Sequence, residues 1–180
     1  MNKNTLFLFL ALAFSMTANA QITKNNWLVG GDIAFSYSKS KPESTINSET
    51  FHINISPNVG YFIWNKIALG MRADYTYSRS KSDTGISKFD RFLVSPFARY
   101  YFLDIDKMVN PFLESSYRFS LIGENNSKEF SAKGGVAIFL NSSVAFEASL
   151  NYLNSISKNA YVGDHTLLLG FGIQVHLEKL

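Results

Sequence analysis

The chain has 180 residues, a formal net charge of +3, 46% hydrophobic residues, 15% aromatic residues and no cysteine. This length suits one domain, and the aromatic content argues against disorder and favours sheets. Lys and Arg are dispersed, so the charge gives no nucleic-acid-binding patch. The absence of cysteine excludes disulfides, thiolate metal sites and cysteine-linked lipids.

The first twenty residues are predicted to be a signal peptide. One cation, Lys3, precedes an apolar stretch, and small residues end the segment at Ala18-Asn19-Ala20. This order of features is typical of a secretory signal, and the apolar stretch is shorter than the roughly 20 residues of a spanning helix. We expect export, with residues 1–20 removed and residues 21–180 forming one barrel domain.

Beyond the signal, apolar residues occupy every second position in eight successive runs. The runs cover residues 27–37, 51–63, 67–77, 92–102, 113–121, 130–140, 144–152 and 167–177. A period of two indicates half-buried strands, and the runs have about the 9–11 residues of a tilted membrane-spanning strand. No charged residue lies on the apolar face of any run.

The opposite face of the runs carries small and polar residues and most of the charges. Nine charged residues lie on it: Asp32, Arg72, Asp74, Arg91, Arg99, Glu114, Arg118, Lys133 and Glu147. Strands cross hydrocarbon only as a closed cylinder, because every backbone N–H and C=O must be paired. An apolar face toward lipid therefore predicts that these nine form a structural ionic network filling the lumen of an eight-stranded barrel.

The connections between runs alternate in length. Three are short, at 64–66, 104–109 and 141–143, whereas 38–50, 78–90, 123–129 and 154–165 are mostly longer and rich in Ser, Asn, Lys and Asp. An antiparallel meander places the two classes at opposite ends, as in transmembrane barrels with short periplasmic turns and long outer loops. Aromatic residues near both ends of the runs suit two interfacial belts.

Two prolines, Pro57 and Pro96, lie on the apolar face inside the second and fourth runs. Proline cannot donate to a strand ladder and usually marks an edge, a strand start or a bulge. We expect a bulge or kink at each proline. The competing interpretation is that both runs are edge strands of an open soluble sheet.

The mature chain resembles the small eight-stranded outer-membrane barrels of Gram-negative bacteria, of the OmpX type and the OmpA membrane-domain type. The resemblance rests on strand number, on the alternation of turns and loops, and on the last strand. There, Gly172-Ile173-Gln174-Val175-His176-Leu177 is similar to the Gly-x-x-Φ-x-Φ signal that the barrel assembly machinery reads. The resemblance implies an all-β, up-and-down transmembrane barrel, with Gly172, Val175 and Leu177 as the assembly signal. Residues 178–180 depart from the family by following the last strand in place of a terminal aromatic.

Several functions remain open for such a barrel. The leading hypothesis is a structural or interaction scaffold with a plugged polar lumen and exposed loops, without enzyme activity, cofactor or metal. The alternatives are a small porin-like channel, a lipid A-modifying enzyme using His52 with Ser56 or His165 with Asp164, and a soluble lipocalin-like carrier with its apolar face turned inward around a ligand.

The partners expected from the sequence are membrane-associated. They are outer-membrane lipid and lipopolysaccharide, the barrel assembly machinery during biogenesis, and a host or protein partner at the outer loops. The candidates for contacting lipopolysaccharide phosphates are the loop cations Lys39, Lys41, Arg79, Lys81 and Lys88. No nucleic acid is expected as a partner.

Overall fold

The computed structural model describes residues 22–40, 48–82, 85–104, 107–120, 128–156 and 164–178. These residues form eight antiparallel strands that pair in sequence order, and β8 closes the barrel against β1. The strands are β1 Trp27–Ser40, β2 Ser48–Trp64, β3 Ile67–Ser82, β4 Gly85–Tyr101, β5 Val109–Phe119, β6 Lys128–Phe139, β7 Val144–Ile156 and β8 Asp164–Leu177. The predicted all-β, up-and-down barrel is confirmed.

The predicted signal peptide, residues 1–20, lies outside the described residues. The described residues contain no helix of the length and apolar character that spanning a bilayer requires.

The strand pairing has a stagger of ten residues around the barrel. Following paired residues from Leu177 to Trp27, and then through β2 to β7, leads back to β8 at Leu167, ten residues earlier. This shear accompanies a tilt of the strands against the barrel axis. It also decides which interior side chains meet across the lumen.

Burial alternates along the central part of each strand and separates the two faces of the barrel. In β5, Phe112, Glu114 and Arg118 are buried, whereas Leu113 and Tyr117 between them are exposed on the outside. Side chains on successive strand residues point to opposite faces of a sheet. The apolar face identified in the sequence is therefore the outer surface, and the polar, charge-bearing face lines the interior.

One end of the barrel, here called the turn end, has the connections at 65–66, 102–108 and 140–143. An apolar cluster occupies the interior there and includes Ile22, Phe62, Tyr101 and Phe112. The segment before β1 contacts the β2–β3 turn at this end, since the Lys66 N–H donates to the Ile22 carbonyl at 2.8 Å. This apolar part of the interior was not predicted from the sequence.

At the opposite end, here called the loop end, the β3–β4 connection is shorter than predicted from the sequence. Residues 78–90 were expected to be a loop, but both strands continue through them until Ser82 pairs with Gly85. That prediction is wrong because a hairpin satisfies its own backbone hydrogen bonds, so polar side chains on both faces do not prevent strand formation. The connections at 41–47, 121–127 and 157–163 lie outside the described residues.

Neither Pro57 nor Pro96, both within strands and on the outer face, causes a bulge. The register of the β2–β3 pairing is the same before and after Pro57, and the β4–β5 register is the same on both sides of Pro96. Each proline is still paired with the strand on its other side: Pro57 with Gly31 on β1, and Pro96 with Met71 on β3. A bulge is therefore the wrong expectation at both positions, because each ladder lacks pairs locally and then resumes in register. A kink at each proline stays a prediction. Barrel closure also excludes the edge-strand alternative.

Candidate functional site

The barrel interior contains five cationic and five anionic side chains among the described residues. They are Asp32, Arg72, Asp74, Arg91, Arg99, Glu114, Arg118, Glu129, Lys133 and Glu147. All are buried except Arg91, whose side chain keeps 24% of its exposure. The nine residues assigned to the lumen from sequence all point inward. Glu129 is an addition that the sequence analysis missed, because it ends a polar segment taken for a loop.

Six of these residues form one cluster, here called the middle cluster: Asp32, Arg72, Arg99, Glu114, Lys133 and Glu147. Glu114 is held by two guanidinium groups, with its oxygens 2.6 Å from Arg72 Nη2 and 2.7 Å from Arg99 Nη2. Lys133 Nζ lies 2.7 Å from Asp32 Oδ1. Three cations and three anions make this cluster electroneutral.

The other four residues form the outer cluster, nearer the loop end: Asp74, Arg91, Arg118 and Glu129. Arg118 Nη2 lies 2.7 Å from Asp74 Oδ1, and Arg91 Nη1 lies 2.5 Å from Glu129 Oε1. Asp74 also accepts hydrogen bonds from the hydroxyl groups of Ser56 and Ser95. Two cations and two anions make the outer cluster electroneutral as well.

Several of the ion pairs cross the lumen. Lys133 on β6 meets Asp32 on β1, and Arg99 on β4 meets Glu147 on β7 at 2.6 Å. These strands are not neighbours in the sheet. Removing one partner of a buried ion pair leaves the other charge unpaired in a low-dielectric interior. The clusters therefore connect walls that backbone hydrogen bonds do not join.

Toward the turn end, the middle cluster is followed by three buried aromatic side chains, Tyr101, Phe112 and His176. Arg99 Nη1 donates to the Tyr101 hydroxyl at 3.0 Å, and its guanidinium lies 4.5 Å from the centre of the Phe112 ring. His176 Nε2 is 3.5 Å from the Tyr101 hydroxyl, and His176 Nδ1 is 3.3 Å from the Ser143 carbonyl. The interior thus passes from ionic to aromatic packing.

The sequence also matches a protein family that has this fold. A family model described as outer membrane protein beta-barrel domain matches residues 6–174. The chain belongs to this family of outer-membrane β-barrels. Its apolar outer surface is accordingly the surface that meets lipid. The alternative of a soluble carrier is wrong, because that alternative required the apolar face to line the interior.

Solved outer-membrane barrels have a similar fold. Neisserial surface protein A is 22% identical with a TM-score of 0.52, and the alignment covers 83% of this chain and 96% of that one. OprG of Pseudomonas aeruginosa is 11% identical with a TM-score of 0.51, covering 89% and 99%. The N-terminal barrel domain of OprF from the same species is 13% identical with a TM-score of 0.50, covering 86% and 98%. No curated protein sequence matches the chain.

The first residue pair considered for a lipid A-modifying activity, His52 with Ser56, does not assemble. His52 Nδ1 lies 2.6 Å from Ser78 Oγ, whereas Ser56 donates to Asn54 and Asp74. His52 and Ser56 are four residues apart on one strand, about 13 Å along its axis, so the predicted pair is wrong.

The other histidine at the loop end also has a different contact from the one considered. His165 Nδ1 is 2.7 Å from the Tyr152 hydroxyl, and the two rings are stacked. The Asp164 side chain lies outside the described part of the structure. Within the described ranges, no group of three or more His, Cys, Asp or Glu side chains is arranged to hold a metal ion.

The residues assigned to the assembly signal lie on both faces of β8. Gly172 points inward, where an added Cβ would come 2.8 Å from the Gly31 carbonyl and 3.0 Å from Asp32 Cβ. Val175 and Leu177 point outward. Gly172 thus makes room for a member of the middle cluster, while its role in assembly stays a prediction.

Three of the predicted lipopolysaccharide-binding cations lie on the extended β3–β4 hairpin. Arg79, Lys81 and Lys88 are exposed, and Arg79 and Lys88 are direct cross-strand neighbours. Lys41 lies outside the described residues, and the side chain of Lys39 is likewise outside them. Like charges directly opposite each other destabilise a strand pair, so this pair favours an anionic neighbour.

Proposed function

We propose that the protein is a non-conducting structural and interaction scaffold of the outer membrane. In this role the barrel holds its loop end at the cell surface, and its lumen passes neither ions nor solutes. The observation that carries the proposal is that two electroneutral clusters lie at two levels of the lumen, and that ion pairs of the middle cluster join opposite walls. The apolar cluster at the turn end adds a third level.

The charge balance of the interior supports a closed lumen rather than a channel. Ion-conducting pores are lined by rings of one charge sign or by carbonyl groups around a permeable path. Here each buried cation has an anionic partner within its own cluster, so no mobile counter-ion is needed. Eight strands also enclose an interior that side chains fill.

Planar-bilayer recording of the refolded barrel tests this proposal. The wild-type protein should give no channel events. A variant that removes two charges of each sign from the middle cluster, with Arg72, Arg99, Glu114 and Glu147 all changed to Ala, should conduct if it folds. Discrete openings of the wild-type protein would contradict the proposal. A change in lipid A mass that depends on the wild-type protein would instead favour an enzyme.

We also propose that lipopolysaccharide phosphates bind beside Arg79 and Lys88 on the outer face of the hairpin. A phosphate there would relieve the repulsion between two neighbouring cations and would accept charge-assisted hydrogen bonds. Changing both residues to Gln should weaken lipopolysaccharide retention by the purified barrel. A variant with Lys24 changed to Gln, at the turn end, is the matched control. Equal retention by both variants would reject this surface.

A further inference from the structure

The loop end of the lumen contains a cavity of about 220 Å³ above the outer cluster. Its two sides differ in chemistry. His52, Asn54, Thr76 and Ser78 form a polar wall on β2 and β3. On β7 and β8, Leu153 and Leu168 form a mainly apolar wall that also includes Thr166. We call this cavity the outer cup.

We propose that the outer cup binds a single neutral sugar residue. A sugar ring has hydroxyl groups along its edge and C–H groups on its faces, so it can satisfy a polar wall and an apolar wall together. The cup is smaller than the roughly 300–1,000 Å³ pockets that bind drug-sized ligands, which limits the ligand to about one ring. Barrel mouths are recurrent places for such sites.

The polar groups of the cup supply both donors and acceptors. His52 Nδ1 is 2.6 Å from Ser78 Oγ, and Asn54 Nδ2 donates to Thr76 Oγ1 at 2.8 Å. These contacts hold the imidazole and the hydroxyl groups in fixed positions. Ligand binding therefore costs little side-chain conformational entropy.

Arg91 gives the cup its most specific feature. One of its terminal nitrogens pairs with Glu129, but its Nε–H is buried without a hydrogen-bond partner among the described residues. An unmet buried donor is costly to leave unpaired, and a sugar hydroxyl in the cup would accept this hydrogen bond.

The charge of the cup indicates a neutral ligand rather than an anion. The positive charge of Arg91 is balanced by Glu129 at 2.5 Å, and Arg118 beneath the cup is paired with Asp74. A phosphate or carboxylate would have to compete with these carboxylates. The site is independent of whether the lumen below conducts, because the cup opens toward the loop end.

Amide and side-chain NMR of the refolded barrel, in a detergent without a sugar head group, tests the proposal. The probes are the methyl glycosides of glucose, galactose, mannose and N-acetylglucosamine, with inorganic phosphate as the charged comparison. At least one glycoside should perturb Ser78 and the Arg91 Nε–H saturably, and phosphate should not. An oligosaccharide that ends in the same sugar then distinguishes a glycan terminus from a free sugar as the ligand.

Two variants and one control locate the binding. Changing Arg91 to Gln, or Ser78 to Ala, should weaken the affinity by about tenfold or more, the usual effect of losing a hydrogen bond to a polar ligand. Changing Ser80 to Ala is the control, because its hydroxyl contacts Thr50 at 3.2 Å outside the cup. Electrophoretic mobility without boiling checks that each variant folds, and Ser78→Ala leaves every charge in place. No saturable response to any glycoside, saturation by phosphate, or equal affinity in the folded Ser78→Ala variant would overturn the proposal.

Discussion

Arg99 and Glu147 connect two walls of the barrel that the sheet itself does not join. Arg99 Nη1 on β4 lies 2.6 Å from Glu147 Oε1 on β7, and neither side chain has more than 2% exposure. The same arginine donates through Nε to Glu114 at 2.8 Å. Arg99 therefore ties three strands together across the middle cluster.

Removing one charge from this pair should destabilise the barrel strongly. Glu147→Gln leaves the middle cluster with an unbalanced cation, and such losses cost about 3–5 kcal/mol. Urea unfolding in lipid vesicles gives the free energy. Glu178→Gln, at an exposed residue just after β8, should change it little. Equal effects of the two substitutions would contradict the buried ion pair.

Removing both charges should cost less than the two single losses combined. Arg99→Met together with Glu147→Met keeps the cluster electroneutral, and buried ion pairs can often be replaced by apolar groups without loss of stability. The double-mutant cycle should therefore give a favourable coupling energy. Strict additivity would show that the two side chains act independently.

The apolar cluster at the turn end predicts a role for Ile22, the second residue after the expected cleavage site. Ile22 is 1% exposed, and its truncation to Ala should cost about 2–5 kcal/mol, as for other buried aliphatic residues. Lys24→Ala, two residues later and exposed, is the control. Unchanged urea midpoints for Ile22→Ala would mean that this segment does not pack against the barrel.

Substitution by alanine should destabilise the barrel at Gly70 and not at Gly134. A Cβ on Gly70 would lie 2.5 Å from Cζ of the buried Phe97 and 2.4 Å from the Val59 carbonyl, whereas Gly134 has nothing within 4 Å. Overpacking typically costs about 1–3 kcal/mol, so Gly70→Ala should lower stability and Gly134→Ala should be tolerated. Comparison of their unfolding free energies checks this, and the reverse order would contradict the packing.

The turn end also contains an ion pair, Lys66 with Asp104, that lies outside the membrane-spanning region. A hydrogen bond from Lys66 to Asp104, with Nζ 2.5 Å from Oδ1, raises the pKa of Lys66 above its ordinary 10.5. Its contribution to stability is present below that value and is lost as pH rises through the higher folded pKa. Asp104→Asn should lower the Lys66 pKa again in an NMR titration, and an unchanged titration would exclude the contact.

The sequence predicted the number of strands and the two faces of the barrel because a period of two fixes which side chains share a face. It could not predict which charges meet, since the pairing of Lys133 with Asp32 depends on the shear. Glu129 and the β3–β4 hairpin were not predicted because both lie in polar segments. Strands that extend beyond the apolar region no longer alternate apolar and polar residues, so the sequence pattern does not distinguish them from loops. Tyr101 and His176 were missed because the interior was expected to be ionic throughout.

Hydrogen exchange at the Arg99 side chain tests most directly the proposal that the ionic clusters close the lumen. The Arg99 Nε–H, hydrogen-bonded to Glu114 at 2.8 Å, can be followed by NMR in lipid nanodiscs and assigned with Arg99→Lys. In a closed lumen this proton should exchange far more slowly than that of a free arginine and should be untouched by a water-soluble paramagnetic agent. Exchange at the rate of free arginine, with relaxation by that agent, would show an open aqueous path and contradict the proposed scaffold.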